Sequence, residues 1–175
     1  MARSSTSKRR PIKMVLDSLP AKTEKENRMK VFETKRKISG SSEKLFKAFE
    51  DPSLLTKWWG PNGFTNTITK MDLKPGVEWN LVMHGPDGTD FKNKSVFKEI
   101  VALEKIVFEH IGPNFLATIE FKGNGNKTQL DWHMLFETKE EFIQVVKTFK
   151  ADEGLKQNVE KLNNYLETQL ILRKH

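Results

Sequence analysis

The chain has 175 residues, a net charge of +7 and no cysteine, a length that suits one domain of common size with a tail rather than two full domains. Lack of cysteine excludes disulfides, thiolate nucleophiles and thiolate metal sites, and fits a reducing compartment, with the cytoplasm as the default expectation. No apolar run approaches the roughly 18 residues that a membrane-spanning helix needs, so a soluble protein with no membrane span is expected.

The charge is concentrated at the start. Residues 1 to 28 hold eight cations, from Arg3 to Arg28, against Asp17, Glu24 and Glu26, whereas the other 147 residues hold 22 cations and 20 anions. A domain with signs so well mixed has no evident phosphate-binding face, so no specific nucleic-acid partner is expected. Residues 1–29 read as a flexible basic tail, with no aromatic residue to offset the entropy of ordering. Its Ser7-Lys8-Arg9-Arg10-Pro11 segment suits contact with an anionic surface.

The folded part is expected from Lys30 to Leu172. Lys30 to Ile38 alternates as a half-buried strand, with Phe32, Thr34, Arg36 and Ile38 on one side. Ser39-Gly40-Ser41-Ser42 supplies an N-cap for a short helix that buries Leu45, Ala48 and Phe49 and stops at Glu50 or Asp51, ahead of Pro52. Asp51 then caps a second short helix running to Trp58. Beyond Gly63 the period turns to two. Phe64 to Met71 is a strand, Pro75-Gly76 a turn, and Val77, Trp79, Leu81 and Met83 form one face of the next strand. Gly85-Pro86-Asp87-Gly88 closes a hairpin into Phe91 to Ile100. Ile106, Phe108 and His110 form the next inward set. After Gly112-Pro113-Asn114, Phe115, Ala117, Ile119 and Phe121 form another, and Leu130, Trp132, Met134 and Phe136 the last. Short turns make a meander the simplest topology. Thr138 and Glu141 have capping-box spacing for a helix burying Phe142, Val145, Val146 and Phe149, interrupted at Gly154. Leu155, Val159, Leu162, Leu166 and Leu170 then recur as one helical stripe.

This order of elements meets a signature at Trp58-Trp59-Gly60-Pro61-Asn62-Gly63-Phe64, followed by the turn Asp72-Leu73-Lys74-Pro75-Gly76. Further matching segments run from Trp79 to Phe91 and from Glu99-Ile100-Val101 to Ile106-Val107-Phe108-Glu109-His110. Together they resemble the SRPBCC superfamily and, within it, the family of activator of heat-shock-protein-90 ATPase homologues, over roughly Phe32 to Thr168. The resemblance implies an α+β helix-grip fold: a curved antiparallel sheet of six to seven strands wrapped around a long C-terminal helix, with two short helices after the first strand. Two departures stand out. Gly154-Leu155 replaces a Gly-Trp pair at the head of the last helix, and Gly123-Asn124-Gly125-Asn126 replaces a Gly-Thr-rich hairpin.

The superfamily's cavity lies between sheet and long helix, so the resemblance implies binding of a hydrophobic or amphipathic small molecule or lipid there. Its expected lining is Trp58, Trp59 and Phe64 from the helix pair and its turn, and Trp79, Leu81, Met83, Phe91 and Phe97 from the first hairpin. Phe108, His110, Ile119, Phe121, Trp132 and Met134 follow from the later strands, and Leu155, Val159 and Leu162 from the last helix. Core packing is the competing reading for the tryptophans, and adjacent Trp58 and Trp59 in a turn are not expected to share one environment. The family name implies a second reading, a co-chaperone partner of a heat-shock-protein-90-type chaperone. A third is an enzyme of the cyclase or hydratase kind. For that the inward parities offer only Arg36, His110 and Asp90, so no catalytic residue is assigned. The histidines are too scattered along the chain for a metal motif, and no nucleotide or cofactor fingerprint is present.

Overall fold

The computed structural model describes residues 30–174, so the expected tail and its basic segment lie outside the described residues. Strand β1 (Lys30–Ser39) leads into helices α1 (Ser42–Glu50) and α2 (Pro52–Leu55). Strands β2 (Thr65–Lys70), β3 (Glu78–His84), β4 (Asp90–Val101), β5 (Lys105–Ile111), β6 (Phe115–Asn124) and β7 (Lys127–Phe136) follow, then helices α3 (Lys139–Phe149) and α4 (Ala151–Lys174). The seven strands form one antiparallel sheet in the order β1-β7-β6-β5-β4-β3-β2. The expected meander therefore holds for β2 to β7, and β1 closes the far edge against β7, carried there by the helix pair.

The inward faces are those that the alternation picks out. Ile38, Trp79, Leu81, Phe97, Ile106, Phe108, Ala117, Ile119, Phe121, Leu130 and Trp132 are buried together with α1 and with Leu155, Val159, Leu162 and Leu166 of α4. Fully burying one such aliphatic side chain stabilises by about 1.5–3 kcal/mol, so the α4 stripe alone outweighs the polar contacts described next. Those contacts set its position along β1. Arg36 donates to both carboxylate oxygens of Glu160 at 3.2 and 3.1 Å. The Ser39 backbone N–H donates to Asn163 Oδ1 at 2.8 Å.

Two helix ends differ from expectation. The break between α3 and α4 falls at Lys150, which takes a left-handed conformation with φ 49°, while Gly154 lies inside α4. Gly154 serves contact instead: a Cβ there would come within 3.2 Å of Pro61 Cγ, so its absence lets α4 approach the tryptophan turn. The cap of α3 is half of a capping box. Thr138 Oγ1 accepts from the Glu141 N–H at 3.1 Å, but Glu141 Oε2 finds no partner. Of the face expected to be buried on α3, Val145 is buried and Phe149 is 54% exposed. Helix α3 lies at the rim, where a full apolar stripe has nothing to cover it.

Candidate ligand site

The site begins with a double cap. Asp51 ends α1 and starts α2, accepting from the Ser53 side chain at 2.7 Å and its backbone N–H at 2.9 Å. The Ser53 hydroxyl, then its N–H, hold the Asp51 carboxyl below the usual carboxylate range. This corner delivers Trp58 and Trp59 to the inner face of the sheet. Trp58 is fully buried, and its indole Nε1 donates to the Ala48 carbonyl at 3.1 Å. Its ring meets Phe49 edge-on at 4.7 Å.

Contrary to the expectation that neighbours in a turn part ways, Trp59 enters the same aromatic set. Its ring lies 5.5 Å from Trp58, 4.9 Å from Trp79 and 5.4 Å from Trp132. The reason is the chain after it. Gly60 and Gly63 take φ of 92° and 85°, values open to glycine at no steric cost, and a Cβ on Gly60 would press on Met83 Cε at 3.0 Å. The Trp59 carbonyl is held twice, by Asn66 Nδ2 at 2.9 Å and Lys161 Nζ at 3.4 Å. Lys161 also donates to the Pro61 carbonyl at 3.2 Å; burial pushes its ammonium below the usual lysine range.

The set is closed. The void left beside Phe49, Leu55, Trp79, Phe97, Phe108 and Ile119 is about 10 Å³. That is room for about one water at most, against the roughly 300–1,000 Å³ of ligand pockets. Trp59 is half-buried, whereas the other three tryptophans are buried. Polar atoms around it are incompletely satisfied. The Nε1 donors of Trp79 and Trp132 and the Oδ1 acceptors of Asn66 and Asn158 are buried and have no hydrogen-bond partner. Trp79 and Trp132 are 3% and 2% exposed. Leaving such a group unmade costs about 1–3 kcal/mol, so each of the four is an unmet demand of the folded state.

The other expected lining residues divide. Leu81, Phe97, Phe108, Ile119, Phe121, Leu155, Val159 and Leu162 are core, and Met83 and Met134 pack against it half-buried. Phe64 and Phe91 stand apart at the rim: their rings are 6.0 Å apart, and Phe91, 36% exposed, has Phe149 beyond it at 6.5 Å. His110 is inward but engaged. It stacks on Phe115 at 4.7 Å, its Nδ1–H donates to the Pro113 carbonyl at 2.8 Å, and Nε2 lies 2.8 Å from the side-chain amide of Asn93. Burial holds its imidazole below the ordinary 6.5 against the opposing pull of that carbonyl. Arg36 is committed to Glu160. Asp90 is not inward at all; it is exposed and lies 2.7 Å from His84 Nδ1. The structure therefore does not bring the three candidate catalytic groups together.

One constellation escaped a reading along the chain. Glu33, Asp131 and His133 place donor atoms within 4.8 Å of one another, because β1 pairs Glu33 with His133 and β7 sets Asp131 two residues away on the same outward face. Cross-strand register, not sequence spacing, assembles it. Lys35 Nζ already stands 3.9 Å from the Asp131 carboxylate. A larger hollow, about 840 Å³, is an open groove on the outer side of β4 to β7, lined in part by Val107, Glu109, Leu116 and Leu135. It shares no wall with the tryptophans.

A strand, a helix pair, a six-stranded meander and a long helix gripped by the sheet define a helix-grip fold of α+β class. The chain belongs to the family described as Activator of Hsp90 ATPase homolog 1-like protein, whose family model matches residues 39–167. Among curated proteins none matches. Solved structures are similar at low identity and show the shared fold. A protein from Arthrobacter aurescens is 22% identical with a TM-score of 0.73, the match covering 79% of this chain and 86% of that one. One from Nitrosomonas europaea is 22% identical at a TM-score of 0.70, covering 81% and 96%. The AHSA1 protein from Silicibacter pomeroyi is 18% identical at 0.67, covering 80% and 99%. Among the described residues no helix is long and apolar enough to cross a membrane.

Proposed function

We propose that the protein is a non-catalytic binding module that holds a hydrophobic or amphipathic small molecule or lipid between the sheet and α4, in the cytoplasm. The observation that carries this reading is the tryptophan set itself. Trp59 is wedged between Trp79 and Trp132 on a glycine-bearing turn, so one segment can leave without unpairing a strand. The engaged states of Arg36 and His110 favour binding over catalysis. With a void of about 10 Å³, a ligand enters only by taking the place of a side chain, and Trp59 is the candidate with a route out.

Native mass spectrometry of gently purified protein, with fluorescence titration of 1-N-phenylnaphthylamine, tests the reading. A retained small-molecule mass or one saturable probe site is expected. Unliganded protein that gives no saturable probe signal, both as wild type and as Trp59→Ala, would overturn it. The family's description supports a second reading, stimulation of a heat-shock-protein-90-type ATPase. An unchanged ATPase rate of the cognate chaperone at saturating protein would remove it.

A further inference from the structure

The outer face of the sheet carries a donor set that the binding reading does not use. We propose that Glu33 of β1, with Asp131 and His133 of β7, binds a divalent cation of the zinc class and so pins the edge strand β1 to the sheet.

The geometry comes from register. Strand β1 pairs Glu33 with His133 and Lys35 with Asp131. Alternation puts these four on the face opposite buried Ile38, Leu130 and Trp132, away from the tryptophans. One donor atom from each of Glu33, Asp131 and His133 lies within 4.8 Å of the other two. At metal–ligand distances of about 2.0–2.2 Å, neighbouring ligands of a tetrahedral site stand about 3.4 Å apart. The donors therefore need to close by about 1.4 Å at most, a movement open to the exposed Glu33 side chain.

The charges call for a cation. Two carboxylates face one another beside an imidazole nitrogen, and like charges at this separation repel unless something positive stands between them. What the folded chain supplies is slight. Neither the Glu33 nor the His133 side chain makes a hydrogen bond or ion pair among the described residues. One Asp131 oxygen lies 3.9 Å from Lys35 Nζ, on a side chain that is 60% exposed. The other, Oδ1, is shielded from solvent and has no hydrogen-bond partner. A carboxylate oxygen so placed is costly unless a donor or cation meets it, which argues for a ligand independently of the spacing.

The donor types narrow the choice. Calcium and magnesium take oxygen ligands, whereas an imidazole ligand favours zinc and its first-row neighbours. Three protein ligands leave a fourth position for water. The rival pair is weaker: His84 and Asp90, 2.7 Å apart, offer two residues, and Thr67 Oγ1 already lies 2.8 Å from the second ring nitrogen of His84.

The test is calorimetric titration of zinc chloride into untagged, chelator-stripped full-length protein. One saturable site is expected, with a raised urea midpoint, because a ligand held only by the folded state stabilises it. Glu33→Gln, Asp131→Asn and His133→Gln should each weaken binding at least tenfold and remove the midpoint shift, while His84→Gln changes neither. Lys35→Ala, which removes the competing cation, should tighten binding severalfold. Affinity unchanged by His133→Gln, or calcium bound as tightly as zinc, would overturn the proposal. So would wild-type protein that shows no saturable binding at millimolar zinc.

Discussion

Trp58 and Trp59 are adjacent in the chain and touch in space, yet their surroundings ask different things of them. Around Trp58 every demand is met: the ring is enclosed by Phe49, its N–H is taken by the Ala48 carbonyl, and no surface reaches solvent. Around Trp59 the packing is equally close but the polar accounting is not, with orphaned donors on Trp79 and Trp132 and an orphaned acceptor on Asn66. One region is optimised for the folded state alone. The other leaves buried hydrogen-bonding groups that folding does not use.

The comparison can be broken by substitution. Trp58→Ala should lose about 3–5 kcal/mol, the cost of truncating a fully buried large aromatic, seen as a lowered urea midpoint. Trp59→Ala should lose less, about 1–3 kcal/mol, because that ring is partly exposed and its removal relieves no satisfied donor. Equal losses would mean that the two rings contribute alike to the folded state. Acidification probes the inward histidine. His110 is held below 6.5 by burial, so the folded state favours the neutral ring. Its contribution is complete above about pH 6.5 and is lost as pH falls through the lowered value, because the unfolded chain takes up the proton first. In His110→Gln, that part of the stability decline below about pH 6.5 should flatten in pH-dependent urea melts. The smallest effect belongs to Arg36→Ala. Its ion pair with Glu160 is solvent-exposed, 39% and 51% by side chain, and such pairs are worth under about 1 kcal/mol. A loss of several kcal/mol would mean that α4 is anchored by this pair rather than by the Leu155 to Leu166 stripe.

Much of this architecture was legible before the structure. Alternation identified the inward faces of β3, β5, β6 and β7 because one-sided burial writes a period of two into the sequence. The Asp51 cap, and a cap within Ser39 to Ser42 that the structure places at Ser41, were legible because a capping side chain must sit at a fixed place relative to the helix. What escaped depends on contacts distant in sequence. A glycine four residues into α4 reads as a helix stop, but Gly154 answers to Pro61, and the stop is a left-handed lysine that no local rule marks. Phe149 has the spacing of a buried residue and lacks a surface to be buried against. The Glu33, Asp131 and His133 cluster exists only through the pairing of β1 with β7. Of the expected lining, Trp58, Trp79, Phe97, Phe108, Phe121 and Trp132 lie in the buried core, while Phe64 and Phe91 meet at the rim. Alternation reports which side chains point inward and carries no information on whether they meet, so the closure around Trp59 could be seen only in three dimensions.

Whether Trp59 stands where a ligand would stand is measured most directly by the affinity of 1-N-phenylnaphthylamine for wild type and Trp59→Ala, each confirmed folded by its urea transition. Removing the wedge should leave one saturable site and tighten binding at least tenfold. Binding that weakens or disappears in Trp59→Ala would show that this indole is a wall of the site rather than its occupant, and would contradict the account.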